Sequence, residues 1–189
     1  MKRIFLVRHG EIPSNKINRY SGWSEEELNE TGVRQAREVA QRLDHYHIGH
    51  VFTSPIKRAV QTAHIIGDAL GIEPVVEPGL KELRLGSWEG LSTEDIAGRY
   101  PHEWHIWNTD PSRLRLPGRE TLEELLDRAV WAIKNIKKET NGNSGTVAIT
   151  HVAIIRVLQL WVQKRSLDLY KKIEIPNGAI LDLFSGNFI

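Results

Sequence analysis

The chain of 189 residues has 40% hydrophobic and 26% charged residues, enough length and apolar content for one sizeable buried core. Its 25 Lys and Arg nearly balance 24 Asp and Glu, and a net charge of +1 leaves no basic excess for nucleic acid or an anionic membrane, so neither is an expected partner. With no cysteine, it has no disulfide framework, no thiolate metal site and no thiol nucleophile.

The first predicted element is a strand over "IFLV" at 4–7, which runs directly into Arg8-His9-Gly10-Glu11. Only Met-Lys-Arg precedes those four apolar residues, too little for a signal-peptide core or a membrane span, so the cytoplasm is the expected compartment. Val33, Ala36, Ala40 and Leu43 then share a helical face. "HYHIGH" at 45–50 carries His45, His47 and His50, with His45 and His47 on one side of an extended segment. No further ligand accompanies them, so a solvated loop and no metal are expected. "HVFTS" at 50–54 is the second strand. Ser54-Pro55 reads as an N-cap with proline at the first helical position, predicting a helix over 55–70 with Ile56, Ala59, Ala63, Ile66 and Leu70 inward.

The stretch 98–120, "GRYPHEWHIWNTDPSRLRLPGRE", breaks the pattern with Pro, Trp, His and Arg. It predicts a loop-and-short-helix cap, part of a small lid over about 84–120. Leu122, Leu125, Leu126, Ala129, Ile133 and Ile136 form the stripe of a helix over 121–139, with Thr121 and Glu124 at capping-box spacing. "TVAIT" at 146–150 is a strand, and Ala153, Val157, Leu160 and Trp161 mark a helix after it. "AILDLF" at 179–184 is the last strand. Strands alternating with helices predict an α/β fold: a three-layer α/β/α sandwich with a mostly parallel central sheet and a small lid insertion, one domain over 1–189.

Three strand ends carry chemically capable residues: Arg8 and His9, then Ser54 leading to Arg58, then His151. In open α/β sheets ligands bind beyond the carboxyl ends of the strands. Arginine and histidine delivered there by three strands point to an anion, helped by helix N-termini with free backbone N–H groups. Arg58 sits in a first helical turn, where a cation is unfavourable unless an anion joins it.

The motifs "RHGE" at 8–11 with Asn15 six residues after His9, "SPIKRAVQTA" at 54–63, "KELRLGSWEG" at 81–90, "THVAIIR" at 150–156 and "IPNGAI" at 175–180 resemble the histidine phosphatase superfamily, in its phosphoglycerate-mutase-like branch. The resemblance implies a phosphomonoester hydrolase that needs no cofactor and no metal. His9 would accept the phosphoryl group as a phosphohistidine, Arg8, Arg58 and His151 would hold the phosphate, Asn15 would add a donor, and Glu82 would be the general acid. That chemistry suits those residue types. A transferring phosphoryl group spreads charge over its oxygens, arginines contact them bidentately, and a neutral imidazole is a nucleophile near pH 7. Glu11, Glu77 and Glu89 compete with Glu82 for the acid role.

Ser21 and Gly22, Trp107 and Arg113 are the further candidates for substrate binding, with Arg115 beside Arg113 able to grip a second anionic group. Trp104 and His105 stand equally between core and substrate contact, while Trp88 is expected to be structural. The chain departs from the family pattern at Ile12, where Ser or Thr is common, at Val152, where Gly is common, and at Arg119, which replaces a glycine of P-G-G-E-[ST]. Mutases of the branch carry a tyrosine soon after the catalytic glutamate, and here Leu85 occupies that neighbourhood. The expected partner is a small phosphorylated metabolite, the chain a monomer or homodimer, and the "ELRLGSWEG" segment similar to α-ribazole and broad-specificity phosphatases. Phosphoglycerate-mutase-type transfer and a catalytically inactive phosphate-binding module remain the alternatives.

Overall fold

The computed structural model describes residues 3–140 and 144–189, so Met1 and Lys2 of the N-terminal opening lie outside the described residues. Strand β1 (Ile4–Arg8) leads through a short helix α1 (Pro13–Lys16) to α2 (Glu30–Leu43). Strand β2 (Ile48–Thr53) is followed by α3 (Lys57–Leu70) and a two-residue strand β3 (Val75–Val76). The lid carries α4 (Thr93–Arg99) and α5 (Pro101–Thr109), and α6 (Leu122–Glu139) returns to the body. Strand β4 (Gly145–Thr150), α7 (Val152–Val162) and β5 (Ile180–Asp182) complete the chain.

The five strands form one sheet in the order β3-β2-β4-β1-β5. The first four run parallel, and β5 pairs antiparallel with β1. Alternation along the strands divides the core into two layers. Phe5, Val7, Val51, Val147, Ile149 and Ile180 pack with α2 and α3, while Ile4, Leu6, Phe52, Ala148 and Leu181 pack with α6, α7 and the lid. Alternation of this kind fixes register, because a one-residue slip would send every strand side chain into the opposite layer.

The helix after β2 starts two residues later than the sequence predicts. Its N-cap is Ile56 in an extended conformation, and no side chain caps it. Ser54 instead spends its hydroxyl on the Ile56 N–H and on His151. The capping box of Thr121 and Glu124 is present at the start of α6. Trp161, one of the apolar residues that mark α7, is 41% exposed. His45 and His47 are exposed, and among the described residues no group of three or more His, Cys, Asp or Glu could hold a metal ion. Among the described residues no helix is long and apolar enough to cross a membrane.

Candidate active site

Four parallel strands deliver their ends to one edge of the sheet. His9 follows β1, Ser54 follows β2, His151 follows β4 as the N-cap of α7, and Glu82 follows β3 after a 3₁₀ turn at Pro78–Leu80. The short strand β3, which pairs with Phe52 and Thr53, is therefore what brings Glu82 to the histidines. Beside them opens a cleft of about 430 Å³ lined by Arg8, His9, Asn15, Ser21, Gly22, Glu82, Trp107 and further groups.

His9 is almost wholly buried, and its two ring nitrogens have different partners. Nδ1 donates to the Gly10 carbonyl at 2.7 Å, which leaves Nε2 as the unprotonated nitrogen. Arg58 Nε donates to that Nε2 at 3.1 Å. Burial first, then the charges of Arg58 and Arg8, holds the imidazole well below its ordinary value of 6.5. A neutral ring with an unprotonated Nε2 is what a nucleophile requires, and the Arg58 hydrogen bond marks that lone pair until a phosphate takes its place.

Arg58 and His151 stand behind His9 rather than on the cleft wall. Arg58 is 0% exposed; its Nη groups donate to the Ser24 and Gly22 carbonyls at 3.0 and 2.7 Å and approach His151 Nδ1 at 3.3 Å. Because arginine only donates, His151 Nδ1 accepts and its Nε2–H donates to Ser54 Oγ at 2.8 Å. The His9 and His151 rings lie 5.1 Å apart. Burial, then Arg58 and His9, also pushes His151 well below 6.5.

On the cleft wall, Arg8 donates from Nη1 to the Ile175 carbonyl at 2.5 Å, and its buried Nε has no partner. Burial lowers this guanidinium to about 10. An orphaned buried donor beside a nucleophile is an open place for an anion. Asn15 Oδ1 accepts from the Ile12 N–H and from Asn177 Nδ2, so its own amide NH₂ is the group left to donate. Val152 and Ala153, the first residues of α7, line the same cleft with the positive end of the helix.

Glu82 is 8% exposed, and its Oε1 accepts from the Leu83 N–H at 2.7 Å. Burial raises its carboxyl above the ordinary 4.5, against the Leu83 hydrogen bond and the charges of Arg58 and Arg8. The competing carboxylates have other employment. Glu11 binds Asn29, Glu77 accepts from the Gly79 N–H, and Glu89 accepts from the Trp23 N–H; none lines the cleft.

The lid candidates divide. Trp107 lines the cleft while donating to Tyr20 Oη at 3.1 Å. Trp104 packs on Tyr20 and Trp88, His105 is exposed, and Trp88 is fully buried among these rings. Arg113 is a correction. It sits exposed in a 3₁₀ turn at Pro111–Arg113 and does not reach the cleft, and Arg115 pairs with Glu123 at 3.7 Å instead. The lid arginine that turns inward is Arg119, buried with its Nε and Nη2 unpartnered and its guanidinium 4.5 Å from the Trp107 ring centroid. Sequence reasoning missed Arg19, Tyr20, Arg156, Tyr170, Lys171 and Asn177, all on the cleft wall. Arg156 and Asn177 lie inside the motif segments "THVAIIR" and "IPNGAI"; Tyr170 and Lys171 carry no sequence signal.

Comparison with known proteins places the chain in a family. Residues 4–184 match the histidine phosphatase superfamily (branch 1). The chain belongs to that family. Phosphoserine phosphatase 1 of Hydrogenobacter thermophilus is 30% identical over 158 residues, covering 84% of this chain and 74% of the relative. Phosphoglycerate mutase-like protein 4 of Arabidopsis thaliana is 34% identical over 190 residues, covering 97% and 80%. Among solved structures, Bacillus stearothermophilus YhfR superposes with a TM-score of 0.88 at 26% identity, over 100% of this chain and 95% of that one. The histidine phosphatase relatives thus include both phosphatases and mutase-like proteins.

Proposed function

We propose that the protein hydrolyses small phosphomonoesters through a phosphohistidine on His9. The observation that carries this reading is the tautomer of His9: Nδ1–H is committed to the Gly10 carbonyl, and Nε2 stands unprotonated beside the cleft that Arg8 and Glu82 line. An entering phosphate takes the unpartnered Arg8 Nε–H and the Asn15 amide, and exchanges with His9 Nε2 for the Arg58 Nε–H. His9 Nε2 then attacks phosphorus in line. The N–P bond forms as the ester P–O bond breaks, and protonated Glu82 gives its proton to the departing alkoxide. In the second half, water attacks the phosphoryl group, the N–P bond breaks, and the Glu82 carboxylate takes the water proton. Inorganic phosphate leaves, and both side chains return to their starting states. The cationic side chains around the phosphate supply the stabilisation of its charge.

The test is release of phosphate from p-nitrophenyl phosphate and 3-phosphoglycerate by the wild-type protein and by His9→Ala, both in EDTA. Release that persists in EDTA and is lost with His9 supports the reading. Interconversion of phosphoglycerates without release would replace it with mutase-type transfer. Phosphate binding without either reaction would make the protein a binding module.

A further inference from the structure

Glu82 lies on a segment that belongs to no helix or strand, and side chains from elsewhere in the fold fix its main chain. Four successive carbonyls, from Gly79 to Glu82, accept from side-chain donors. Arg128 of α6 donates from Nη1 to the Gly79 and Lys81 carbonyls, both at 2.9 Å, and from Nη2 to the Glu82 carbonyl at 3.3 Å. Thr150 Oγ1, one residue before His151, donates to the Leu80 carbonyl at 2.8 Å. The Trp23 indole N–H donates to the Glu82 carbonyl at 2.7 Å.

Arg128 is itself held in one orientation. Its Nε and Nη2 form a fork on Glu120, at 2.9 Å to Oε1 and 2.7 Å to Oε2, and both side chains are largely shielded from water. All five of its N–H donors are thus spent, two on the carboxylate and three on the turn. A lysine, with its donors on a single nitrogen, could not span these acceptors. The turn also packs directly on α6: a Cβ on Gly79 would come within 2.7 Å of the Ala132 Cβ. Neither Arg128 nor Trp23 lines the cleft, so neither meets the substrate.

We infer that Arg128, fixed by Glu120, and Trp23 are positioning residues for the general acid: by holding the main-chain carbonyl of Glu82 they set where its carboxyl meets the leaving group. The inference rests on the phosphatase reading for the role of Glu82, and it assigns the accuracy of that proton transfer to a network outside the cleft. A carboxyl gives up its proton only within hydrogen-bond reach, and a displacement of about 1 Å that starts away from the chemistry can cost about a hundredfold. Without a ladder of its own, the segment takes that precision from these donors.

The test compares kcat/KM on glycerol 3-phosphate, whose alkoxide must be protonated, with that on p-nitrophenyl phosphate, whose leaving group needs little help. This constant reports transfer to His9, the step in which the acid serves the leaving group. Arg128→Met keeps the alkyl stem and removes every donor. It should lower the alkyl ester about tenfold more than the aryl ester. The Arg128 charge also acts on His151, but both esters share that effect, so the bias and not the loss is the readout. Added to Glu82→Gln, Arg128→Met should produce no further bias, because the proton it positions is gone. Trp23→Phe removes one hydrogen bond and leaves Arg128 paired. It should bias the esters in the same direction by about threefold, and it decides the matter should Arg128→Met fail to fold.

Equal losses on the two esters in Arg128→Met, or in Trp23→Phe where only that variant folds, would make the network a structural support alone and overturn the inference. So would a bias that persists undiminished in the Glu82→Gln background. A Glu82→Gln variant that is itself unbiased removes the acid role, and the inference with it. A biased Glu82→Gln beside an unbiased Arg128→Met overturns the inference and leaves the acid role standing.

Discussion

At the residue scale, the two groups assigned to proton and phosphoryl transfer have been shifted in opposite directions by the same burial. His9 is kept neutral because charging it inside the fold beside Arg58 and Arg8 is costly, and Glu82 holds its proton to a higher pH than an exposed carboxyl because burial opposes its charged form. The same burial thus favours the neutral, nucleophilic form of one group and the proton-bearing form of the other. Glu82→Gln should lower kcat/KM on glycerol 3-phosphate by about a hundredfold or more, the usual worth of general acid catalysis. The loss on p-nitrophenyl phosphate should be far smaller, since that leaving group needs little protonation. Equal losses would move the acid role elsewhere. The wild-type rate on the alkyl ester should also decline as pH rises through the raised Glu82 value, because only the protonated form donates. Arg8, His9, Arg58 and His151 were legible because each ends or follows a predicted strand or lies in the first turn of the helix after it, whereas Glu82 was picked out only by the family motif "KELRLGSWEG". Lys171 and Tyr170 were not legible, because they lie in a 3₁₀ turn at Leu167–Lys172 that no periodicity marks. Arg113 and Arg119 are six residues apart in the same lid, and only packing shows which of them turns inward.

At the element scale, the position of His9 depends on how the end of β1 meets the start of α2. His9 N–H donates to the Thr150 carbonyl and Gly10 N–H to Thr62 Oγ1, while the Asn29 N–H donates to the Glu11 carbonyl. Gly10 and Gly32 face each other backbone to backbone. A Cβ on Gly32 would run into the Glu11 carbonyl oxygen, and one on Gly10 into the Gly32 carbonyl oxygen. Gly32→Ala gains at most about 1 kcal/mol of helix propensity. Against that stands an overpacking cost of about 1–3 kcal/mol, and neither backbone can yield, so the clash wins. Thermal unfolding should show a lowered Tm together with lost activity. Gly98→Ala in α4, where a Cβ meets nothing, is the control and should be neutral or stabilising. Both substitutions raising Tm would show that the strand end is free to move. The long amphipathic helices and the four longer strands were readable from their periods. Strand β3 was not, because two exposed valines carry no pattern, yet it is the strand that places Glu82. Ser54-Pro55 misled for a related reason: a serine hydroxyl serves a helix start or a neighbouring side chain equally well, and here His151 claims it.

At the scale of the whole molecule, the sandwich buries two neutral histidines at one edge of the sheet, and that has a consequence for stability. His9 and His151 are buried and neutral, both well below the ordinary 6.5. Below that pH the unfolded chain takes up two protons that the native state refuses, so stability is present above pH 6.5 and is lost as pH falls. Glu82 has the opposite sign. Its folded value lies above 4.5, so between 4.5 and that value the native state holds a proton the unfolded chain has released, and its contribution is lost as pH rises. Each unmatched proton changes stability by about 1.4 kcal/mol per pH unit. Two histidines against one carboxyl leave a net slope of the histidine sign, and the unfolding free energy should fall by about 0.5–2 kcal/mol between pH 6.5 and 5.5. Urea titrations at a series of pH values measure it. His151→Gln removes one of the two protons, so its curve should be shallower over this range whatever its stability at neutral pH. A wild-type curve that is flat or rises toward pH 5.5 would mean that the two imidazoles charge inside the fold. Neutral His9 could not then be the resting nucleophile in mildly acid solution.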